Sequence, residues 1–151
     1  MMSMESGVIE SQSRAHTSWS PKIELRQGDI GLGVIAREPI EAGEVLVALA
    51  HAGTGEVDDY LNHACEPSAA LDAERLCFVA ARAIAPGEAV TFNYLSAEWD
   101  MVAPFTCKCG SPRCFGEIRG FKHLSPDEQA RLEPLLTPFL RRMRASLQSA
   151  A

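Results

Sequence analysis

A run of three closely spaced cysteines constrains this chain more than any other feature of its sequence. Its members are Cys107, Cys109 and Cys114, in a C-x-C-x4-C pattern. Thiolates bind Zn²⁺ tetrahedrally, and Gly110 and Pro112 supply the tight turns that would bring three sulfurs to one ion. The run therefore predicts a structural zinc site, with free thiols, disulfides or another metal as the alternatives.

The predicted zinc site needs a fourth ligand from elsewhere in the chain. Cys65 is the best candidate, because Cys77 lies in an apolar segment where it would behave as a small buried residue. His63 and His123 are the other candidates. The odd total of five cysteines favours metal ligation in a reducing compartment over a disulfide framework. A zinc ion bound in this way would hold the cysteine run over the segment that contains Cys65.

Composition and charge predict a single globular domain. The apolar content of 46% and the charged content of 23% are typical of a soluble protein with one compact core. No apolar run approaches the ~20 residues of a membrane span, and the first residues lack an apolar signal-peptide centre. We therefore expect a cytoplasmic protein without membrane contact. The net charge of -6 argues against direct nucleic-acid binding, which needs a basic face.

Acidic residues cluster in the middle of the chain, in a segment without lysine or arginine before Arg75. They are Glu56, Asp58, Asp59, Glu66, Asp72 and Glu74. The segment is either a solvated acidic loop or a surface that attracts a basic substrate.

Short alternating segments and glycine turns predict a mostly β domain. A hairpin is expected from strands at residues 23–25 and 34–36, joined by a turn between Gly28 and Gly33. Further strands are expected at residues 45–49, 76–80 and 90–92. The predicted division of the chain is a flexible arm at 1–20, a main domain at 21–104, a zinc segment at 105–120 and a C-terminal helical extension at 121–151.

The C-terminal extension carries clear helix signals. Ser125 is a predicted N-cap, and Pro126 and two acidic residues follow it in the first turn. Pro134 and Pro138 each remove a backbone donor, so a kink or two short helices are expected. The apolar face of the helix could dock on the chain's own sheet or form a homodimer, and the sequence does not choose between them.

Four motifs occur in a fixed order along the chain. They are Gly31-Leu32-Gly33, Asn62-His63-Ala64-Cys65-Glu66-Pro67, Gly87-Glu88-Ala89-Val90-Thr91-Phe92-Asn93-Tyr94 and Cys107-x-Cys109-Gly110-x3-Cys114-x-Gly116. Together they resemble the SET-domain family of protein lysine methyltransferases with its zinc-binding post-SET segment, over about residues 22 to 120. The resemblance implies a β-clip type fold of small curved sheets with a pseudoknot, a zinc-stapled post-SET loop and a C-terminal helix. In the pseudoknot, the strand before the catalytic tyrosine threads beneath the Asn-His segment.

The resemblance also implies S-adenosylmethionine as cofactor and the lysine amine of a basic protein or peptide as methyl acceptor. The residues that would hold the cofactor are Gly31, Leu32, Gly33, Asn62, His63, Phe105 and Ile118, of which the last two would wall the adenine unless they are core residues. Tyr94 would be the catalytic tyrosine, and Phe92 would leave room beside the amine for more than one methyl group. Cys65 occupies the position of the family's usual fourth zinc ligand.

The chain departs from the family pattern mainly on the substrate side. The segment between Gly33 and Asn62 is short, where most members insert a variable subdomain that walls the peptide groove. Ser68 replaces the usual Asn, Asn93 replaces the usual Asp, and Tyr60 does not match the second tyrosine of the lysine channel. Two other hypotheses therefore stand beside protein lysine methylation. One is an enzyme that uses the same cofactor on a small molecule, and the other is a non-catalytic SET-like binding module.

Overall fold

The computed structural model of the protein describes residues 18–29, 31–48 and 61–150. Short strands dominate this part of the chain, which confirms the mostly β class. The strands are β1 Ser18–Trp19, β2 Ile23–Gly28, β3 Gly31–Ala36, β4 Val45–Ala48, β5 Asn62–His63, β6 Ala69–Asp72, β7 Cys77–Ala80, β8 Thr91–Phe92, β9 Phe105–Thr106 and β10 Glu117–Ile118. The helices are α1 Pro126–Leu132 and α2 Pro138–Ala150, with short 3-10 helices at Tyr94–Ser96, Phe121–His123 and Glu133–Leu135.

Strands β2 and β3 form the predicted hairpin, with Ile23 opposite Ala36 and Gly28 opposite Gly31. The predicted turn over residues 28–33 was too long, because both strands extend into it. Gly31 has a φ of 105°, a backbone conformation that side chains with a Cβ rarely adopt. The glycine at this position therefore allows the chain to reverse tightly at the hairpin end.

The largest sheet has four strands in the order β1-β4-β7-β6, with every neighbouring pair antiparallel. It contains two of the predicted strands, with small changes at their ends. Strand β7 begins at Cys77 and not at Leu76, because Leu76 has a φ of 52° and cannot continue an extended strand. Strand β4 is described as far as Ala48, so the predicted end at Leu49 lies outside the described residues.

Strands β5 and β8 pair in parallel, with Asn62 opposite Thr91 and His63 opposite Phe92. Parallel neighbours need a long connection, and here the four-stranded sheet's β6 and β7 lie between the two strands in sequence. This pairing brings the Asn-His segment beside the strand that leads to Tyr94, as expected from the pseudoknot that the resemblance implies. It is the central structural element of the candidate site.

The buried apolar residues form two clusters and not the single compact core that composition predicted. The first cluster consists of Ile23, Val34, Ala36, Ile40, Leu46, Val47, Leu61, Ala69, Phe78, Ala80, Ile84 and Val90. The second cluster consists of Cys65, Leu95, Ile118, Phe121, Leu132, Leu136 and Leu140. The strands are too short to bury all apolar residues against one sheet, so the cysteine segment and the C-terminal helices build a second centre.

The C-terminal extension forms two helices, as its prolines predicted. Ser125 and Glu128 make a reciprocal capping box at the start of α1. Pro138 begins α2, and α2's Leu140 is buried in the second cluster. Part of the apolar face therefore docks on the chain itself, whereas a homodimer remains a prediction. Neither helix described here has the length and apolar character that a bilayer crossing needs.

Candidate active site and metal centre

Four cysteine sulfurs, those of Cys65, Cys107, Cys109 and Cys114, lie within 4.8 Å of one another. The Cys65 Sγ atom is 3.8 Å from that of Cys107 and 3.7 Å from that of Cys114. A tetrahedral zinc site with Zn–S bonds of about 2.3 Å has sulfurs about 3.8 Å apart. The cluster therefore fits a structural Zn²⁺ ion.

The geometry favours Cys65 as the fourth ligand over the two histidines. His63 lies beside the cluster, with its Nε2 atom 3.4 Å from the Cys65 Sγ atom. His123 instead contacts Asp100, with Nε2 and Oδ1 2.9 Å apart. Cys77 is buried in β7, as expected of the leftover cysteine.

Two thiols of the cluster, those of Cys65 and Cys107, are poor acids in the absence of a cation. Burial raises the pKa of Cys65, and burial raises the pKa of Cys107 to about 11. Because only thiolates ligate Zn²⁺, metal binding must displace these protons. Backbone N–H groups are already directed at the sulfurs, since Phe115 donates to Cys65 Sγ at 3.2 Å and Gly116 donates to Cys114 Sγ at 3.4 Å. The Phe115 donor favours the ionised form of the Cys65 sulfur.

A side-chain hydrogen bond also connects the cysteine run to the Asn-His segment. Ser111 Oγ donates to Glu66 Oε1 at 2.8 Å, directly beside Cys65 in the sequence. The loop is closed by β9 and β10, and the Cys107 N–H donates to the Gly116 carbonyl at 2.8 Å. The cluster therefore fixes the position of the loop between β9 and β10 relative to β5.

Tyr94 follows β8 and is held at both ends by the segment that contains β5. Its backbone N–H donates to Nδ1 of His63 at 3.0 Å, and its hydroxyl donates to the Leu61 carbonyl at 2.7 Å. Asn93 caps the 3-10 helix by accepting from the Leu95 N–H at 2.9 Å. The position of the predicted catalytic hydroxyl is thus set by the β5–β8 pairing.

Burial lowers the pKa of His63 to about 4, so its imidazole is neutral near pH 7. Its Nδ1 atom accepts the Tyr94 N–H, which places the ring proton on Nε2, the atom that faces Cys65. The imidazole therefore lies between the predicted catalytic tyrosine and the cysteine cluster.

Aromatic rings surround Tyr94. The Phe92 ring centroid lies 4.9 Å from that of Tyr94, and the Phe78 centroid lies 4.9 Å from that of Phe92. Phe105 approaches from the cysteine loop, 6.0 Å from Tyr94 and 5.8 Å from His63. These rings provide an apolar wall that can exclude water from a small substrate group.

The hairpin glycines and Asn62 meet at the other side of the site. Asn62 Nδ2 donates to the Leu32 carbonyl at 3.4 Å. A Cβ atom at Gly33 would lie 2.7 Å from Asn62 Nδ2, so only glycine leaves the amide in this place. The structure thus brings together the predicted cofactor residues of the hairpin and of β5.

Phe105 and Ile118 face each other in register across β9 and β10, but only Phe105 is accessible. Phe105 is 36% exposed, whereas Ile118 is 0% exposed and belongs to the second cluster. A side chain without exposed surface does not line an open cofactor site. For Ile118 the structure therefore supports the alternative of a core residue.

Two residues that shape this site, Ser68 and Arg131, were not predicted to do so from their sequence context. Ser68 is fully buried, and its hydroxyl donates to the Ala89 carbonyl at 2.9 Å and accepts the Thr91 N–H at 3.0 Å. Arg131 of α1 lies over the Phe115 ring, 3.7 Å from its centroid. For Ser68, the serine at a position where the similar family has Asn was a signal in the sequence. For Arg131, the sequence held no such signal.

Two acidic side chains in the described part of the acidic segment form contacts within the chain. Glu66 accepts from Ser111, and Asp72 forms an ion pair with Arg75 at 2.8 Å. Tyr60 and the acidic residues 56, 58 and 59 lie outside the described residues. Attraction of a basic substrate by this segment stays a prediction.

Comparisons with known proteins agree with the fold. Residues 49–95 match the family model described as the SET domain. The chain is 44% identical over 63 residues to "Methyltransferase flvH" of Aspergillus flavus, which is 40% of this chain and 35% of that protein. It is 35% identical over 71 residues to "Histone-lysine N-methyltransferase EHMT1" of Homo sapiens, which is 40% of this chain and 6% of that protein.

A solved structure also resembles the chain. It is described as the crystal structure of KRYPTONITE in complex with mCHG DNA and SAH, with a TM-score of 0.50 and 20% identity. The likeness covers 63% of this chain and 28% of that one. At this identity it supports the fold alone. Each of these relatives is much longer than the matched region, since the match spans about a third of flvH and 6% of EHMT1.

Proposed function

We propose that this chain, which contains a SET domain, is an S-adenosylmethionine-dependent N-methyltransferase that acts on lysine side chains of a basic protein or peptide. The observation that carries the proposal is the fixation of Tyr94 by Leu61 and His63, next to the hairpin glycines and Asn62. Two relatives that are named as methyltransferases support the reaction type. One of these is named for histone lysine, which supports a protein substrate.

The hairpin side of the site fits the cofactor. Gly33 brings its backbone close to Asn62, and the neighbouring Leu32 is exposed. Asn62, the backbone of His63 and the hairpin glycines would hold the cofactor, with Phe105 against its adenine. The related structure was solved in complex with SAH, which supports S-adenosylmethionine as the cofactor. When bound, S-adenosylmethionine would supply a methyl group on a cationic sulfur. The amine nitrogen would form a bond to the methyl carbon in line with the C–S bond, which breaks and leaves its electrons on the sulfur.

Tyr94 would align the amine. Its hydroxyl hydrogen is directed at the Leu61 carbonyl, so toward an amine the hydroxyl oxygen acts as an acceptor. A lysine amine with an ordinary pKa near ~10.4 must lose its proton before it can attack. A narrow aromatic channel next to a cationic group disfavours the ammonium form and assists this loss. Positioning therefore supplies most of the catalysis, without a dedicated base.

Phe92 would border the amine beside Tyr94, at a centroid distance of 4.9 Å. Phenylalanine offers no hydroxyl to fix the amine in one orientation, so successive methyl transfers are compatible with this site. The zinc centre would act as a structural element that holds Phe105 and the post-SET loop against β5.

The test is transfer of label from S-adenosylmethionine to a pool of basic proteins. We expect Tyr94→Phe to reduce the rate on the order of 100-fold, because alignment is lost, while cofactor affinity changes little. Asn62→Ala should have the opposite effect and weaken cofactor binding. An unchanged rate with Tyr94→Phe would mean that the tyrosine mechanism is wrong. Because this substitution also removes the bond to Leu61, Tm should be measured for each variant.

A small-molecule acceptor is the second candidate function. The short segment between Gly33 and Asn62 favours it, because little chain is available there to wall a peptide groove. The printed name of flvH also specifies no protein substrate. Label transfer to small amines, without transfer to any protein pool, would select this function. No transfer to either class, with no binding of the cofactor, would select a non-catalytic SET-like module.

Partners and location remain part of the proposal. The net charge of -6 supports a basic protein partner and no direct contact with nucleic acid. The DNA in the related crystal structure belongs to that protein. A cluster of reduced thiols supports a cytoplasmic location. Fractionation of cells and cross-linking to nucleic acid would test these points.

A further inference from the structure

The His63 side chain connects the two halves of the candidate site. On one side its Nδ1 atom accepts the Tyr94 N–H at 3.0 Å. On the other side its Nε2 atom is 3.4 Å from the Cys65 Sγ atom. A backbone contact with a cofactor would use neither of these atoms. The imidazole therefore has a role of its own, separate from that of the His63 main chain.

The two contacts fix the tautomer of the ring. Because Nδ1 accepts a hydrogen bond, the proton of the neutral ring lies on Nε2 and points toward Cys65. When Cys65 ligates a metal, its sulfur is a thiolate and becomes a strong acceptor for this N–H group. Groups that donate to metal ligands orient them and are important for metal affinity.

The ring has little freedom to move independently of its neighbours. It packs edge to face against Tyr94 at 5.3 Å and against Phe105 at 5.8 Å. Asn93 adds a second connection, because its Nδ2 atom donates to the Cys65 carbonyl at 3.4 Å. A displacement of the Cys65 sulfur would therefore pass to the backbone of Tyr94. The Tyr94 hydroxyl, anchored on Leu61, would then move within its site.

We propose that the His63 imidazole is a positioning residue that couples metal loading of the cysteine cluster to the placement of Tyr94. In this arrangement the zinc centre does more than hold the post-SET loop, because it also sets the catalytic geometry through a single side chain. The part of this inference that concerns turnover rests on the proposed methyl transfer. The coupling of the metal to the Tyr94 backbone does not.

Three substitutions separate the two contacts. His63→Phe keeps the ring packing and removes both polar contacts. His63→Asn can place an acceptor near the position of Nδ1, and His63→Gln can place a donor near that of Nε2. His123→Phe is the matched control, because His123 pairs with Asp100 outside the cysteine cluster. Tm measurements identify any variant that is not folded.

The primary measurement is the amide NMR shift of Tyr94 when Zn²⁺ is exchanged for the larger Cd²⁺ in the folded protein. We expect a clear shift in the original chain and in His123→Phe, and a much smaller shift in His63→Phe, His63→Gln and His63→Asn, none of which keeps both contacts. The Asn93 connection is present in all three variants, so a small residual shift should remain in each. A Tyr94 shift that survives unchanged in His63→Phe would overturn the inference, whatever the activity of the enzyme.

Metal affinity and kinetics provide the second measurement. In competition with a chelator, His63→Phe and His63→Asn should bind Zn²⁺ about tenfold more weakly, and His63→Gln should be close to the original chain. The kcat of His63→Phe should fall about tenfold, while KM for S-adenosylmethionine changes less than about twofold. A loss of metal affinity in His63→Asn and His63→Gln that His63→Phe does not share would show a packing role only and contradict the inference. If the original chain has no turnover, the proposed function fails and the NMR result still decides the coupling.

Discussion

Gly33 lets the hairpin backbone lie close to Asn62. Adding a methyl group at Gly33 would test whether this close approach is needed for cofactor binding. A Cβ atom would lie 2.7 Å from the Asn62 Nδ2 atom, the free end of a flexible side chain. The side chain can move away at little cost to the fold, but its bond to the Leu32 carbonyl would be lost. We therefore expect Gly33→Ala to weaken S-adenosylmethionine binding about tenfold, or ~1.4 kcal/mol, as measured by calorimetry.

The control for this substitution lies in the same hairpin. A Cβ atom at Gly28 would meet the Gly31 carbonyl oxygen at 3.7 Å, an ordinary contact. Gly28→Ala should leave cofactor affinity unchanged, and both variants should unfold within about 2 °C of the original Tm. A loss of affinity that is equal in the two variants would mean that hairpin flexibility matters, and not the approach to Asn62.

At the scale of single residues, the sequence predicted which residues could bind a metal better than it predicted which side chains are exposed to solvent. It predicted the zinc cysteines and chose Cys65, because a C-x-C-x4-C run and a fourth cysteine have few other uses. It could not distinguish Phe105 from Ile118, because residues that face each other across a short strand pair look alike in sequence until packing buries one of them. The bridging position of the His63 ring could not be predicted either, since it depends on the Asn-His segment and the segment of Tyr94, which meet only in the fold.

At the scale of elements, local signals were sufficient for the helices and insufficient for the strand ends. Ser125 and Pro126 act within one turn of chain, so the start of α1 could be predicted. The start of β7 at Cys77 depends on the left-handed conformation of Leu76, which no local sequence pattern predicts. The parallel pairing of β5 and β8 came from the resemblance, because pairing between distant segments leaves no periodic signal.

Helix α1 contacts the cysteine loop through Arg131, which was not predicted from the sequence. The Arg131 guanidinium lies over the Phe115 ring and donates to the Arg113 carbonyl at 2.7 Å. Such a contact stabilises by about 0.5–2 kcal/mol. We expect Arg131→Ala to accelerate zinc loss to a chelator by about two- to tenfold, which a colorimetric zinc indicator would measure.

Arg142→Ala is the matched control for this prediction, because Arg142 is exposed on α2. It removes the same charge without touching the loop, so zinc loss should keep its original rate. Arg131→Lys should behave more like Arg131→Ala, because an ammonium cannot stack as a planar guanidinium does. Equal acceleration by Arg131→Ala and Arg142→Ala would attribute the effect to net charge and contradict bracing by α1.

At the scale of the whole molecule, the two apolar clusters differ in what holds them together. The first cluster is enclosed by the β2–β3 hairpin and the four-stranded sheet. The second contains the predicted metal ligand Cys65 and includes residues of α1 and α2. Metal binding contributes folding free energy wherever the ligands are brought together by the fold. The stability of the second cluster should therefore depend on zinc far more than that of the first.

Hydrogen exchange with and without a strong chelator would measure this difference. After zinc removal, we expect exchange at the amides of Phe121 and Leu140 to accelerate strongly, because their cluster loses the link through Cys65. Amides in β4 and β7 should change less than about threefold. The β5–β8 pair joins both clusters, so the amides of His63 and Phe92 should respond to an intermediate degree. A uniform acceleration across all these positions would instead mean that the clusters unfold as one cooperative unit, with zinc stabilising the entire described fold.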